Sequence, residues 1–552
     1  MSVRDSQRMA VVGGIAAVVV GATGFGVYAL TGDDGSGSGN GTSAASDGDG
    51  DGKNAEPVKK GPLSAREVRT AAGDFLDAWS AGEAGKAAAL TDDSGAAAKA
   101  LTAFGKQARV SQLKFTPGPA AKAAVPFGVK AAVAHGEQRA TWSYESRLEV
   151  VRQERTGEPV VRWKPDVLHP KLKEGQAVRT GEAGTPPVRA VDRNGAELTK
   201  EEHPALAGVL ADLRKRYGAK TDGTPGIETR IVDAKGKDTG TTLLTLSKGT
   251  PGTLKTTLDL TRQRAAEAAV EGKAKASVVA VKPSTGEILA IANSPAKGFN
   301  TALQGSYAPG STMKVVTAAM LMDQGLAAPG KTHPCPKYFT YGHWKFQNDD
   351  KFEIKGGTFS QSFARSCNTA FISQAPELDD DALTKEARDV FGIGLDWKTG
   401  TSTFDGQVPV QADAQKGASL IGQGGVRMNP LTMASVAATV KSGVFKQPYL
   451  VSPSLDDRTF AKAPRTMKPQ VAADLRQLMK TTATGGTAAE AMAGADGDVG
   501  AKTGSAEVDN QKKPNAWFTA YRDDVAAAAV VPESGHGGEF AGPVVRKVLD
   551  AG

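Results

Sequence analysis

Apolar and polar residues change their period several times along the chain, and each change marks a boundary. Residues 10–30, AVVGGIAAVVVGATGFGVYAL, carry no charge over 21 positions, and about 20 apolar residues span a bilayer as a helix. Arg4 and Arg8 precede this run, and Asp33 and Asp34 follow it. Positive charge stays on the cytoplasmic side. The pattern therefore predicts a cytoplasmic tail over 1–9, a single-pass transmembrane anchor over 10–30, and a chain held at the cell membrane with its bulk outside the cytoplasm. A cleaved signal peptide ending at Val27–Tyr28–Ala29 is the competing expectation, but the apolar run is longer than such peptides use. Residues 31–62 are mostly Gly, Ser and Asp, with no large apolar residue to seed a core, and predict a flexible tether.

From Ser64 the period becomes three to four. Val68, Ala71, Phe75, Leu76 and Trp79 fall on one face of a helix. The later stretches ATWSYESRLEVVRQ and PVVRWKPDVLHP alternate as half-buried antiparallel strands do. Together they define a first folded unit over 63–182. Residues 183–252 are mixed, with Asn194–Gly195 as a turn signal between apolar residues. TPGTLKTTLDLTRQRAAEAAV then passes from strand to helix and opens a third unit, 253–552. Within it, SVVAVKPSTGEILAIAN reads as two strands around a turn at Pro283–Gly286. The fold class is α+β, multidomain.

Composition narrows the functions open to such a chain. Hydrophobic content of 40% and charged content of 23% over 552 residues belong to folded domains. The net charge of +7 arises from 67 Lys+Arg against 60 Asp+Glu. Without a long basic run interleaved with aromatics, no nucleic-acid partner is expected. The six histidines are scattered and the cysteines are only two, Cys335 and Cys367. Neither a metal centre nor a disulfide framework fits those counts, and no cofactor is expected. In an exported chain the two cysteines either pair, pinning the loop around Cys367, or stay as two buried thiols.

Three short motifs carry the candidate chemistry. Ser311–Thr312–Met313–Lys314 follows Tyr307–Ala308–Pro309–Gly310 and opens the apolar run VVTAAMLM. Pro-Gly is a helix-start context, so serine and lysine sit at i and i+3 on one helical face. A lone serine is a poor nucleophile, and a lysine kept neutral by burial can take its proton. Ser366–Cys367–Asn368 ends the helix-like TFSQSFAR, where a hydroxyl and an amide two apart can both face a cleft. Lys502–Thr503–Gly504 lies in a strand before NAWFTAYRDDVAAAAVV, a hairpin with an edge to which an acyl-peptide can add by main-chain pairing. Lys502 and Thr503 offer donors to a terminal carboxylate, and Gly504 leaves room for backbone to approach. The chain also imitates these motifs elsewhere: Ser294–Lys297 has a proline inside it, Lys398–Gly400 lacks strand flanks, and Ser38–Asn40 falls in the tether.

In this order and in these contexts the motifs resemble those of penicillin-binding proteins and class A β-lactamases. The stretch 422–444, GQGGVRMNPLTMASVAATVKSGV, is similar to the family too, with Asn429 as N-cap and Pro430 at the first helical position. The first unit resembles the nuclear-transport-factor-2-like domain of the methicillin-resistance type of penicillin-binding protein, through Trp163, Pro165 and His169–Pro170. Residues 183–252 resemble the linker, or dimerisation-like, domain of the class B enzymes, although Val188–Arg189–Ala190 replaces the family's Arg-Gly. The resemblance covers Gly252–Asp550 strongly and the earlier units loosely. It implies an antiparallel sheet with helices on both sides and a class B peptidoglycan D,D-transpeptidase that cross-links stem peptides ending in D-Ala-D-Ala. It also implies acylation by β-lactam antibiotics and contact with other cell-wall synthesis proteins. Carried over, Ser311 is the acylated nucleophile and Lys314 its base. Ser366 relays a proton to the leaving group, and Asn368 orients Lys314 and the substrate amide. Lys502 and Thr503 bind the carboxylate, with Gly504 beside them, and the amides of Ser311 and Ser505 form the oxyanion hole.

Three other functions fit the same motifs. A class A β-lactamase needs a glutamate for deacylation, and Glu377, Glu386 and Glu490 lack an asparagine four residues on. A D,D-carboxypeptidase differs only in preferring water to an amine. A non-catalytic β-lactam-sensing receptor would carry several spans and a cytoplasmic signalling part, against one span here.

Overall fold

The computed structural model describes residues 59–552. The expected anchor and most of the tether lie outside the described residues, and no described helix is long and apolar enough to cross a membrane.

The first unit opens with the helix Ala65–Ser80, started by a capping box in which Ser64 Oγ accepts from Glu67 N and Glu67 returns a carboxylate to Ser64 N at 2.8 Å. All five residues assigned to its apolar face are buried. Two further helices, Ala84–Ala89 and Ser94–Gln107, lead to an antiparallel sheet of Val110–Pro117, Ala124–His135, Gln138–Arg152 and Pro159–Val161, paired in chain order. Phe75, Trp79, Phe104, Phe127 and Trp142 fill the space between helices and sheet. His169 stacks on Trp142 with ring centroids 5.5 Å apart, which explains its place in the pattern. One expectation needs correction: PVVRWKPDVLHP is strand only over Pro159–Val161. Pro165, which has no N–H for a ladder, begins a single 3-10 turn, Pro165–Val167.

The middle segment contributes a three-stranded sheet in the order Ala177–Glu182, Ile227–Val232, Asp238–Ser247, whose first strand precedes residue 183. The Asn194–Gly195 turn is organised by Asp192, 1% exposed. Its Oδ1 accepts from Asn194 N and Ala196 N, both at 2.8 Å, and its Oδ2 accepts from Leu260 N at 3.2 Å. One carboxylate thus ties this segment to the first helix of the next.

The third unit is built on a five-stranded antiparallel sheet ordered Ile288–Ser294, Ala276–Val281, Val525–Val531, Asn515–Arg522, Val499–Ala506. Its two faces divide the residues by strand alternation. Ala526, Ala528 and Val530 enter a core with the helices Lys314–Asp323, Pro430–Ser442 and Pro469–Gly485. Val525, Ala527, Ala529 and Val531 enter another with Leu260–Val270 and Gly542–Leu549. Covering both faces makes VAAAAVV a continuous apolar run, and its alanines let helices approach closely. Asn429 caps Pro430–Ser442 as expected, accepting from Thr432 N at 2.9 Å.

Ala527 pairs with Ala280 and Ala520 at the sheet's centre. Ala527→Leu would overpack this layer at a cost of about 1–3 kcal/mol. We expect a lowered denaturant midpoint by circular dichroism, and an unchanged midpoint would mean that the layer has slack.

Candidate active site

Ser311 lies in the 3-10 turn Gly310–Met313, which runs directly into the helix Lys314–Asp323. That helix is buried all round, Lys314 included. A buried amine must be satisfied by the protein. Lys314 Nζ lies 2.9 Å from Ser311 Oγ and donates to Ser366 O at 2.7 Å and to Asn368 Oδ1 at 2.7 Å, with Ser366 Oγ at 3.4 Å; in the neutral amine these two N–H bonds leave the lone pair for the Ser311 hydroxyl. Burial holds its pKa well below the ordinary lysine value, and the nearby charge of Lys502 lowers it further. A neutral amine 2.9 Å from a serine hydroxyl is the arrangement a general base requires.

Ser366 and Asn368 reach the amine from the loop between the helices Phe359–Ala364 and Thr369–Ile372. Ser366 has φ of +58°, a left-handed conformation that costs a non-glycine residue energy and clusters at functional sites. That turn points both its carbonyl and its hydroxyl at the lysines. Cys335 and Cys367 are joined, with Cα atoms 6.1 Å apart, so the loop is tied covalently to residues 32 positions earlier. Closing a loop of that length stabilises by about 3–4 kcal/mol in the chain-entropy picture.

Lys502 comes from the edge strand Val499–Ala506. Its Nζ donates to Ser366 Oγ at 2.8 Å and to Thr503 O at 2.9 Å, and full burial lowers its pKa to about 7. Ser366 Oγ therefore stands between two amines, a position from which a proton can pass. Thr503 follows Lys502 on the strand, is 7% exposed, and has Oγ1 2.6 Å from Thr487 Oγ1. Ser505 Oγ lies 3.5 Å from His536 Nδ1, and His536 reaches Asp349 at 3.6 Å.

At Gly504, where room for an approaching backbone is expected, the backbone that approaches belongs to this chain. A Cβ there would stand 2.9 Å from Pro309 O and 3.0 Å from Thr312 N, so the approaching backbone is the nucleophile turn itself. Gly310 completes the match: at φ of +52° its Cβ would sit 2.8 Å from Ser505 O. Both glycines let the edge strand and the nucleophile turn touch.

Ser311, Lys314, Ser366, Asn368 and Lys502 thus form one connected hydrogen-bonded group, with Gly504 against it and Thr503 and Ser505 on the adjoining strand surface. Thr487 and His536 escaped the sequence reading, since neither belongs to a motif and only folding brings them to the strand. Two of the imitations stay outside this group: Ser294 Oγ bonds Lys273 O, and Lys398 pairs with Asp396 in a loop, while Ser38–Asn40 lies outside the described residues. Glu386, raised to about 7 by burial, is engaged by Arg465 instead of the site.

Residues 276–550 match the family model for the penicillin-binding protein transpeptidase domain, and residues 67–176 match the NTF2-like N-terminal transpeptidase domain. The peptidoglycan D,D-transpeptidase PbpA of Mycobacterium tuberculosis is 30% identical over 341 residues, 51% of this chain and 67% of that protein. The PbpA enzyme of Mycolicibacterium smegmatis is 29% identical over 54% of this chain and 72% of its own length. Among solved structures, Pseudomonas aeruginosa PBP2 superposes with a TM-score of 0.53 at 21% identity, covering 68% of this chain and 96% of that one. At that identity the likeness concerns the fold.

The covalent tie generates a direct check. Under denaturing conditions without reductant we expect no titratable thiol, and two after reduction. Two free thiols before reduction would remove the tie.

Proposed function

This chain belongs to the class B penicillin-binding protein family and is a peptidoglycan D,D-transpeptidase; we propose that its reaction runs through a Ser311 acyl-enzyme with Lys314 as base. The supporting observation is the buried Lys314 amine 2.9 Å from Ser311 Oγ. Lys314 takes the hydroxyl proton as Ser311 Oγ attacks the carbonyl of the penultimate D-Ala of a stem peptide. The tetrahedral oxyanion is held by the backbone amides of Ser311 and Ser505, a contribution of a few kcal/mol per donor. The proton returns through Ser366 Oγ to the leaving amine, terminal D-Ala departs, and a second stem's amine accepts the acyl group. Asn368 orients the Lys314 amine and the substrate amide. Lys502 and Thr503 bind the substrate carboxylate, with the Thr503 hydroxyl 2.6 Å from Thr487 Oγ1. β-Lactams enter as mimics of the same substrate. We further propose a membrane anchor over residues 10–30, supported by the uncharged run and the arginines before it.

Labelled penicillin followed by mass spectrometry should place one adduct on Ser311, and Ser311→Ala should abolish it. An adduct elsewhere, or none on the unsubstituted protein, would refute the assignment. Incubation with a stem-peptide donor and an added amine should yield the amide product in excess over hydrolysis.

The two lysines set opposite limits on pH. Both are depressed, so each is charged below its folded pKa and neutral above it. Acylation should rise with pH as Lys314 loses its proton, then fall near pH 7 as Lys502 loses the charge that attracts a carboxylate. Arginine stays protonated, so Lys502→Arg should move the falling limb to higher pH. A limb that stays in place would assign it to another group.

A further inference from the structure

Asn348 belongs to none of the motifs and touches neither Ser311 nor Lys314, yet its side chain is 1% exposed and fully hydrogen-bonded. It follows the hairpin formed by Tyr338–Tyr341 and Trp344–Gln347. Its Oδ1 accepts from Asn368 N at 2.8 Å and from Thr369 N at 3.0 Å. Its Nδ2 donates to Pro336 O at 3.0 Å and to Phe352 O at 2.9 Å. Two N–H groups on one side and two carbonyls on the other admit only this orientation of the amide. The carboxamide is therefore a strut between the hairpin's two ends and the second motif. Asn368 Nδ2 closes the same circuit by donating to Gln347 O at 3.1 Å. Just beyond it, Asp350 and Lys351 have φ of +50° and +54°, two consecutive left-handed residues without glycine. Strain of that kind persists only where the surroundings over-determine the backbone.

We propose that Asn348 is a positioning residue for acyl transfer, acting through Asn368 to set the place and proton affinity of the Lys314 amine. With the backbone of Asn368 held, its Oδ1 meets Lys314 Nζ at 2.7 Å. The disulfide restrains Cys367, whereas Asn348 holds the N–H of Asn368, so the two restraints act on different atoms. An acceptor at that distance favours the ammonium form, against the desolvation that favours the amine. The charged groups acting on Lys314 are Lys502, which lowers its proton affinity, and Asp349, which raises it. The residue beside Asp349 is thus in a position to tune the base from two sides. The inference deepens the acyl-enzyme reading above and rests on it.

The test is the pH dependence of penicillin acylation in the full chain, with the adduct located by mass spectrometry in every variant. Asn348→Ala frees the Asn368 backbone. We expect acylation to slow about tenfold to a hundredfold, as displacement of a reacting group by around 1 Å does. Lys314 loses an acceptor in that variant, so the rising limb should move to lower pH. Asn348→Asp keeps the acceptor for the two N–H groups and adds a negative charge, so its rising limb should move to higher pH. A residue with a purely structural role would lower the thermal midpoint and leave the rising limb of folded Asn348→Ala where it was. That result overturns the proposal. Should Asn348→Ala fail to fold, Asn348→Gln, which keeps an uncharged amide but displaces it by one methylene, decides by whether acylation slows and its rising limb moves. Absence of a Ser311 adduct on the unsubstituted protein would instead overturn the acyl-enzyme reading itself, and this proposal with it.

Discussion

An amine with no access to water must find every hydrogen-bond partner inside the protein, and Lys314 finds its partners on a turn and a loop separated by more than fifty residues. Much of the site's geometry follows from that constraint. A charged ammonium in this position would carry a large desolvation cost, and a second amine nearby raises it. Burial therefore favours the neutral amine before any substrate arrives. Lys502, equally buried, is lowered by desolvation alone and keeps a value of about 7, whereas Lys314 also feels the charge of Lys502. Two lysines of identical chemistry are thus given different tasks by their neighbours, with the Ser366 hydroxyl between them.

The sheet and its helices serve this arrangement. The nucleophile turn is pressed against the edge strand, and the contact is close enough that neither Gly310 nor Gly504 can carry a side chain. Closeness of that order needs rigid supports on both sides. The strand is supported by a sheet buried on both faces, and the turn by a helix whose every residue but the last is buried. Apolar burial of about 25 cal/mol per Å² anchors these elements, and the polar site inherits their precision. The edge strand's outer side has no partner within the sheet, which leaves main-chain groups free to pair with an extended peptide.

The front and middle units illustrate how far local pattern reaches. The first helix was legible from five apolar positions, because amphipathic spacing is a local property that burial then realises. The segment from Pro159 to Pro170 alternated equally well and yet left the strand after Val161, because alternation says nothing about whether a ladder partner exists and proline removes a donor. In the middle unit the Asn194–Gly195 turn was legible, but Asp192 was not. Its role depends on an N–H at Leu260 that only folding brings within reach.

For the site, the sequence by itself brought Ser311 and Lys314 together: residues three apart across a 3-10 turn that runs into a buried helix lie on one side of the chain. It also placed Ser366, Asn368 and Lys502 on a loop and an edge strand, since helix ends and alternating hairpins are short-range signals. Only the tertiary structure decided that these groups converge on one pair of amines and that Thr503 turns towards Thr487. It alone showed that Gly504 faces its own chain and that Asn348 braces Asn368. Hydrogen-bond partnership across distant segments and the desolvation of an amine are properties of packed neighbours. A linear pattern of residue types contains neither.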